Sequence, residues 1–242
     1  MPERSRQELI ECLRQAHALL EDFSTLGLEN LYLPQIPSSS GAAEGSEAMR
    51  PSSVAGAAGE SLEDIRRELQ DCDRCPLCRE RSNIVFGVGN PEAQIVFVGE
   101  APGREEDIKG EPFVGEAGRL LDRILYAMGM NRQQVYICNV EKCRPPKNRD
   151  PSTEEIEACE PYLKRQLAVI KPQIIVALGR FAAQTLLKSD APIGRLRGKW
   201  HEYEKIPLMA TYHPAFLLRN PAAKREAWED MKQVTKRLRE ES

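Results

Sequence analysis

The chain has 242 residues, 41% of them hydrophobic, which bounds it to one ordinary domain or one domain with an appendage and suffices for a buried core. No apolar run approaches the roughly 20 residues needed to cross a bilayer, and the polar start MPERSRQELIECL lacks the basic end and apolar stretch of a secretory signal, so a cytoplasmic protein is expected. The formal net charge of −3 excludes a global cationic field. Residues 1–60 hold 4 Lys and Arg against 9 Asp and Glu, and the rest of the chain 30 against 28, so contact with a polyanion has to come from local basic patches.

Residues 3–23 place Leu9, Ile10, Leu13, Ala16, Leu19 and Leu20 at helical spacing, which predicts an amphipathic helix in an N-terminal extension over 1–33. Residues 34–60 are dominated by Pro, Ser, Ala and Gly and cannot bury enough apolar surface to offset their ordering entropy; they read as a flexible linker. A main domain over 61–242 follows. Ser61 ahead of Glu63 and Asp64 starts a helix running to about Leu69, and a Cys-rich loop comes next. Strands are predicted at 94–99 (QIVFVG), 135–140 (VYICNV), 173–178 (QIIVAL) and 206–212 (IPLMATY). Helices are predicted at Ala117–Met128, Thr153–Val169, Arg180–Leu187 and Ala222–Arg239. Continuous apolar strands alternating with helices predict the α/β class, a three-layer α/β/α arrangement with a mainly parallel central sheet. Sites in such sheets lie beyond the C-terminal strand ends.

Chemistry-bearing residues fall there. The first strand runs into Gly99-Glu100-Ala101-Pro102-Gly103-Arg104-Glu105-Glu106-Asp107, the second ends near Asn139, and the last opens into His213-Pro214-Ala215-Phe216-Leu217-Leu218-Arg219. A carboxylate, an amide and an imidazole thus converge on one sheet edge. Seven cysteines (Cys12, Cys72, Cys75, Cys78, Cys138, Cys143 and Cys159) also need an explanation. In a reducing compartment clustered thiols more often hold metal than form disulfides, and the odd count suits four ligands plus spares.

The segments GEAPGREED (99–107), PFVG (112–115), CNVEKCRPP (138–146) and HPAFLLR (213–219) together resemble family 4 of the uracil-DNA glycosylases, the iron–sulfur type, over Cys72 to the C-terminal helix. The resemblance implies a doubly wound α/β fold of the uracil-DNA glycosylase kind. It also implies excision of uracil from DNA in base excision repair, by hydrolysis of the N-glycosidic bond to leave an abasic site. A [4Fe–4S] cluster on Cys72, Cys75, Cys143 and Cys159 is implied as well. Cys78 follows Cys75 at the same spacing, so CxxCxxC is locally ambiguous; the family pattern omits Cys78, which ranks as a spare. Cys138 is assigned to the core of its strand, and Cys12 lies outside the domain. Four thiolates suit a structural zinc ion too.

By the same resemblance, Glu100 is the carboxylate beside the sugar that orients water or stabilises an oxocarbenium-like transition state, and His213 is hydrogen-bonded to uracil O2 as charge develops there. Asn139 reads uracil, since one amide can donate to O4 and accept from N3–H, a pattern that cytosine reverses. Phe113 stacks on the base. The Ala101 backbone faces it, and Glu106, with Asp107, shapes the pocket. Leu217 is the wedge that fills the hole left by the flipped base. Arg219, with the turn Arg195–Lys199, contacts phosphates. The implied partner is uracil-containing DNA, bound by a monomer, with the N-terminal helix resembling a tethered module for a protein partner. Relatives that trap uracil DNA covalently carry a basic insertion with an extra histidine after the second motif. Arg144–Asp150 is short and lacks histidine, which argues against trapping. Two alternatives stand beside the glycosylase: a superfamily member preferring another deaminated base, and a non-enzymatic DNA-associated cluster protein that recruits a partner.

Overall fold

The computed structural model describes residues 59–240; the expected helix over 3–23, and the linker apart from residues 59 and 60, lie outside them. Ser61 and Asp64 form a reciprocal capping box, the Ser61 hydroxyl accepting from the Asp64 amide and the Asp64 carboxylate from the Ser61 amide, which opens α1 (Leu62–Leu69). The elements that follow are β1 (Val88–Gly89), β2 (Ile95–Gly99), α2 (Arg104–Lys109), α3 (Glu116–Ala127) and β3 (Tyr136–Asn139). Next come α4 (Thr153–Ile170), opened by a second capping box of Ser152 and Glu155, then β4 (Ile174–Leu178), α5 (Arg180–Leu187) and α6 (Ile193–Leu196). The chain closes with β5 (Trp200–Tyr203), β6 (Ile206–Thr211), α7 (Pro214–Arg219) and α8 (Lys224–Glu240).

The sheet runs β1-β3-β2-β4-β6-β5, with β3, β2, β4 and β6 parallel and an antiparallel strand on each edge. Successive side chains of a strand point to opposite faces, and here each face carries its own core. Ile95, Phe97, Ile137, Val176 and Met209 pack under α3, α7 and α8; Val96, Val98, Cys138, Ala177 and Ala210 pack under α4 and α5. Every residue of β2, β3 and β4 is buried, which is why these strands read as unbroken apolar runs. The α/β architecture expected from the sequence is therefore the one observed.

The four predicted strands and the predicted helices of the main domain are present with ends shifted by a residue or two. The edge strands β1 and β5 and the short helices α2, α6 and α7 were not among the expectations. β1 has only two residues, and β5 (WHEY) is half polar because one side of an edge strand faces water. Among the described residues no helix is long and apolar enough to cross a membrane.

Candidate active site

The register of the sheet assembles the site. Gly99 at the end of β2 lies opposite Asn139 at the end of β3, and Leu178 at the end of β4 lies opposite Thr211 at the end of β6. The residues just past these ends (Glu100, Gly179, Tyr212 and His213) consequently meet over one edge of the sheet. They line a cleft of about 460 Å³ together with Ala101, Glu106, Phe113, Asn139, Phe216 and Arg219. Of the residues expected at the site, Leu217, Asp107 and the turn Arg195–Lys199 do not line this cleft, and the others do.

His213 caps the N-terminus of α7: its Nδ1 accepts the Ala215 amide at 3.1 Å. A nitrogen that accepts carries no proton, so the neutral ring holds its proton on Nε2. Burial, aided by the positive charge of Arg219, lowers the His213 pKa to about 4, against a small upward pull from Glu106. The ring is thus a neutral donor at ordinary pH. Glu100 moves the other way. Burial and the neighbouring Asp150 carboxylate raise it to about 7, opposed by Arg180.

Asn139 is 2% exposed, and its Oδ1 is buried without a hydrogen-bond partner. A buried amide oxygen left unpaired costs about 1–3 kcal/mol, so it marks a place for a donor from outside the protein. Its own carbonyl oxygen accepts the buried Lys142 ammonium at 2.6 Å, which fixes the backbone beneath the amide.

Phe113 lies 5.6 Å from the His213 ring, centroid to centroid, and is 5% exposed. Its φ of 54° is left-handed, a conformation that costs a non-glycine residue of order 1–3 kcal/mol unless its surroundings impose it. Three contacts do so. Arg132 donates to the carbonyl oxygens of Pro112 and Phe113. Glu106 Oε1 accepts from the amides of Val114 and Gly115 at 2.9 and 3.0 Å. Gly118 leaves room for the Phe113 carbonyl, which would lie 1.8 Å from a Cβ there.

Those bonds refine the expectation for Glu106. It lines the cleft, but one carboxylate oxygen is taken up by the protein's own backbone at the start of α3, so it positions Phe113. Asp107 is likewise structural, accepting from the amides of Ser82 and Asn83 at 2.9 and 3.3 Å. Ala101 borders the cleft directly after Glu100.

Two expectations about DNA contacts are corrected. Leu217 is 1% exposed and belongs to the core beneath α7, because that face of the helix packs on α3; it does not project as a wedge. Within the turn Arg195–Lys199, Arg197 turns inward and pairs with the buried Asp230, Nε to Oδ2 at 3.0 Å, so it is not a phosphate contact. Arg195, Lys199 and Arg219 are exposed, Arg219 on the cleft. Nothing in the sequence marked Arg132 or the inward pairing of Arg197. The contacts that matter here, Arg132 to the Phe113 carbonyl and Arg197 to Asp230, span 19 and 33 residues, and no local pattern marks such pairs.

On the far side of β3, α1 packs on α4 through Ile65, Leu69 and Tyr162 and so fixes the start of the Cys-rich loop. Cys75 and Cys143 share a buried apolar cluster with Leu77, and Cys159 projects from α4 beside Lys142. Burial raises the Cys143 thiol to about 11 and Cys159 to about 12; the proximity of Cys75 and Cys72 adds to the first, that of Cys143 and Cys75 to the second. The Arg81 guanidinium hydrogen-bonds Cys143 Sγ at 3.4 Å and opposes the rise. Cys138 is fully buried in β3, as expected. All six described cysteines are free thiols, and among the described residues no three His, Cys, Asp or Glu side chains are arranged to hold a single metal ion.

A cleft lined by a buried aromatic ring, an unpaired amide, a neutral imidazole donor and a carboxylate suits a flat heterocycle read by its edge. Comparison with known proteins agrees. Residues 86–232 match the Uracil DNA glycosylase superfamily. The chain is 51% identical over 183 residues to the type-4 uracil-DNA glycosylase of Archaeoglobus fulgidus, covering 72% of this chain and 92% of that protein. It is 45% identical to the type-4 enzyme of Saccharolobus solfataricus, covering 74% and 87%, and 47% identical to that of Sulfurisphaera tokodaii, covering 72% and 84%. The chain belongs to the uracil-DNA glycosylase superfamily, in its type-4 family.

Proposed function

We propose that this protein excises uracil from DNA, hydrolysing the N-glycosidic bond and leaving the strand with an abasic site for base excision repair. One observation carries the reading: the unpaired Asn139 Oδ1 and the Nε2 donor of neutral His213 serve one cleft that also holds Glu100.

The base must leave the stack to reach groups buried at the strand ends. Phe113 then covers one face of the ring. Asn139 Oδ1 accepts uracil N3–H while its amide nitrogen donates to O4; cytosine presents an acceptor at N3 and a donor at N4, so both contacts would oppose. As the bond from C1′ to N1 breaks, the electron pair moves into the uracil ring and negative charge gathers on O2. A neutral imidazole donor stabilises that charge without surrendering its proton. The sugar becomes positive, and ionised Glu100 stabilises it and orients the water that adds to C1′.

The [4Fe–4S] cluster belongs to the same proposal, held by Cys72, Cys75, Cys143 and Cys159. What supports it is the donor set: free thiols from three chain segments, of which burial hinders the ionisation of Cys75, Cys143 and Cys159, with the Arg81 guanidinium at hand to offset thiolate charge. Bound there, the group would supply iron–thiolate bonds that tie the Cys-rich loop to α4 and to the segment after β3. A monomeric cytoplasmic protein, with residues 1–60 serving a protein partner, completes the reading.

The test is incubation of the iron-loaded protein with a labelled oligonucleotide holding one uracil, followed by alkali. Cleavage at uracil, with matched thymine and cytosine strands intact, is expected. An uncut uracil strand would overturn the assignment and direct attention to other deaminated bases.

A further inference from the structure

The cleft has an aromatic lip that the excision chemistry leaves unused. Phe216 on α7 is 37% exposed, and its ring stacks on Tyr212 with centroids 5.0 Å apart and planes 25° from parallel. Both residues line the cleft. Ile108 and Tyr126 are the other large exposed hydrophobics among the described residues, and neither borders it.

The lip is rigid from behind. The Tyr212 hydroxyl donates to Glu226 Oε2 at 3.0 Å, and the Arg197 guanidinium sits 5.3 Å from the ring centroid. Arg197 is itself locked to Asp230, which also accepts from the Thr211 hydroxyl at 2.7 Å. Tyr212 therefore covers one side of Phe216 and cannot yield, leaving the remaining ring surface to the cleft. Arg219 and Arg180, the latter paired with Asp150 at 3.4 Å, line the same opening and put positive charge within reach of a phosphate. A fixed aromatic surface one ring wide, opening into a cleft between arginines, matches a base carried on a phosphate chain. Phe113 is a separate position, buried deep against Gly99.

We infer that Phe216, backed by Tyr212, forms a second nucleobase subsite that stacks on the base adjoining the flipped nucleotide in the same DNA strand. This rests on the proposed uracil chemistry, because it requires a strand whose neighbouring base enters the cleft. Stacking there replaces the contact that the neighbour loses when uracil leaves the strand, and it depends little on which base the neighbour is.

The probes are two single-stranded oligonucleotides, each with a tetrahydrofuran abasic analogue flanked by 2-aminopurine on its 5′ or its 3′ side. Wild-type protein is expected to quench the fluorescence of one of them. Phe216→Ala should abolish the quench and bind roughly tenfold more weakly, while Phe216→Trp keeps both. Phe216→Leu, which retains apolar bulk without a ring, should behave like the alanine variant and serves if that variant is unstable. Absence of a wild-type quench in both probes, or an unchanged quench and affinity in Phe216→Ala and Phe216→Leu, overturns the subsite. Uracil excision by the wild type, run in parallel, separates the two ideas: excision without a Phe216-dependent quench sinks the subsite alone, whereas absent excision sinks the functional reading.

Discussion

A Cβ at Gly99 would lie 2.3 Å from Asn139 Oδ1, so the amide proposed to read the base occupies the space a side chain on the neighbouring strand would fill. The same Cβ would meet the Phe113 ring at 2.7 Å. Gly99→Ala therefore pushes on the reading group and the stacking group at once, at a buried place where neither has room to retreat. A displacement near 1 Å can cost about a hundredfold in rate. Uracil excision by this variant is expected to fall by roughly that factor at a temperature where it is folded, and overpacking by about 1–3 kcal/mol should lower its Tm as well; unimpaired excision would show that Asn139 and Phe113 do not act on the base.

The pH dependence should carry the signature of Glu100. Its carboxyl lies near 7 because burial and Asp150 oppose ionisation more than Arg180 favours it. In the proposed mechanism the ionised form stabilises the sugar cation, so kcat/KM is expected to rise with pH to a plateau above about 7. Asp150→Asn removes a raising charge and moves the midpoint down; Arg180→Gln removes a lowering charge and moves it up. Both residues are exposed, so the shifts will be largest at low salt. A midpoint that ignores both substitutions would remove Glu100 from the ionising step.

His213 makes the complementary case. With its pKa lowered to about 4, it contributes no inflection between pH 5 and 9. His213→Ala removes one donor to the developing oxyanion, for which a loss of about 10²–10³ in kcat is expected, with KM changing far less. The measurement is single-turnover excision across that pH range. A wild-type profile with a second midpoint that disappears in the variant would mean that the imidazole titrates and acts as an acid.

How much of this was legible follows from where the signals reside. Glu100, Asn139 and His213 were found because parallel strands end together, and a polar residue after an apolar run stands out. Phe113 came with its motif, but its unusual backbone conformation did not. That depends on Arg132 and Gly118, which no local pattern connects to it. Leu217 was misplaced for a different reason. Phe216, Leu217 and Leu218 are consecutive and apolar, and a six-residue helix shows too little periodicity to reveal its buried face. Only packing against α3 decides that Leu217 turns in and Phe216 out.

The thiol cluster predicts a coupling between iron and stability. Cys75, Cys143 and Cys159 come from separate segments, and their buried thiols ionise with difficulty unless a metal takes the proton's place. Cys143→Ser should lower bound iron and visible absorbance and should also lower Tm. A loss of about 2 kcal/mol would appear as roughly 4–8 °C in a domain of this size. Full iron content in Cys143→Ser would exclude that residue as a ligand, and the same substitution at Cys78 is expected to leave iron unchanged.

Leu217 and Phe216 provide the sharpest contrast, because they are neighbours with opposite surroundings. Leu217 is packed in the core shared by α3, α7 and α8, so Leu217→Ala leaves a cavity and should cost about 2–5 kcal/mol. Phe216 is more than a third exposed, so its truncation removes much less buried packing than that of Leu217. Thermal unfolding of the two alanine variants, measured beside affinity for an abasic-site oligonucleotide, separates the roles. Leu217→Ala is expected to melt well below wild type yet bind DNA normally at temperatures where it is folded. Phe216→Ala is expected to melt close to wild type and bind weakly. An unchanged Tm with lost DNA binding in Leu217→Ala would return the wedge to Leu217, with α7 reorienting on the strand to expose it.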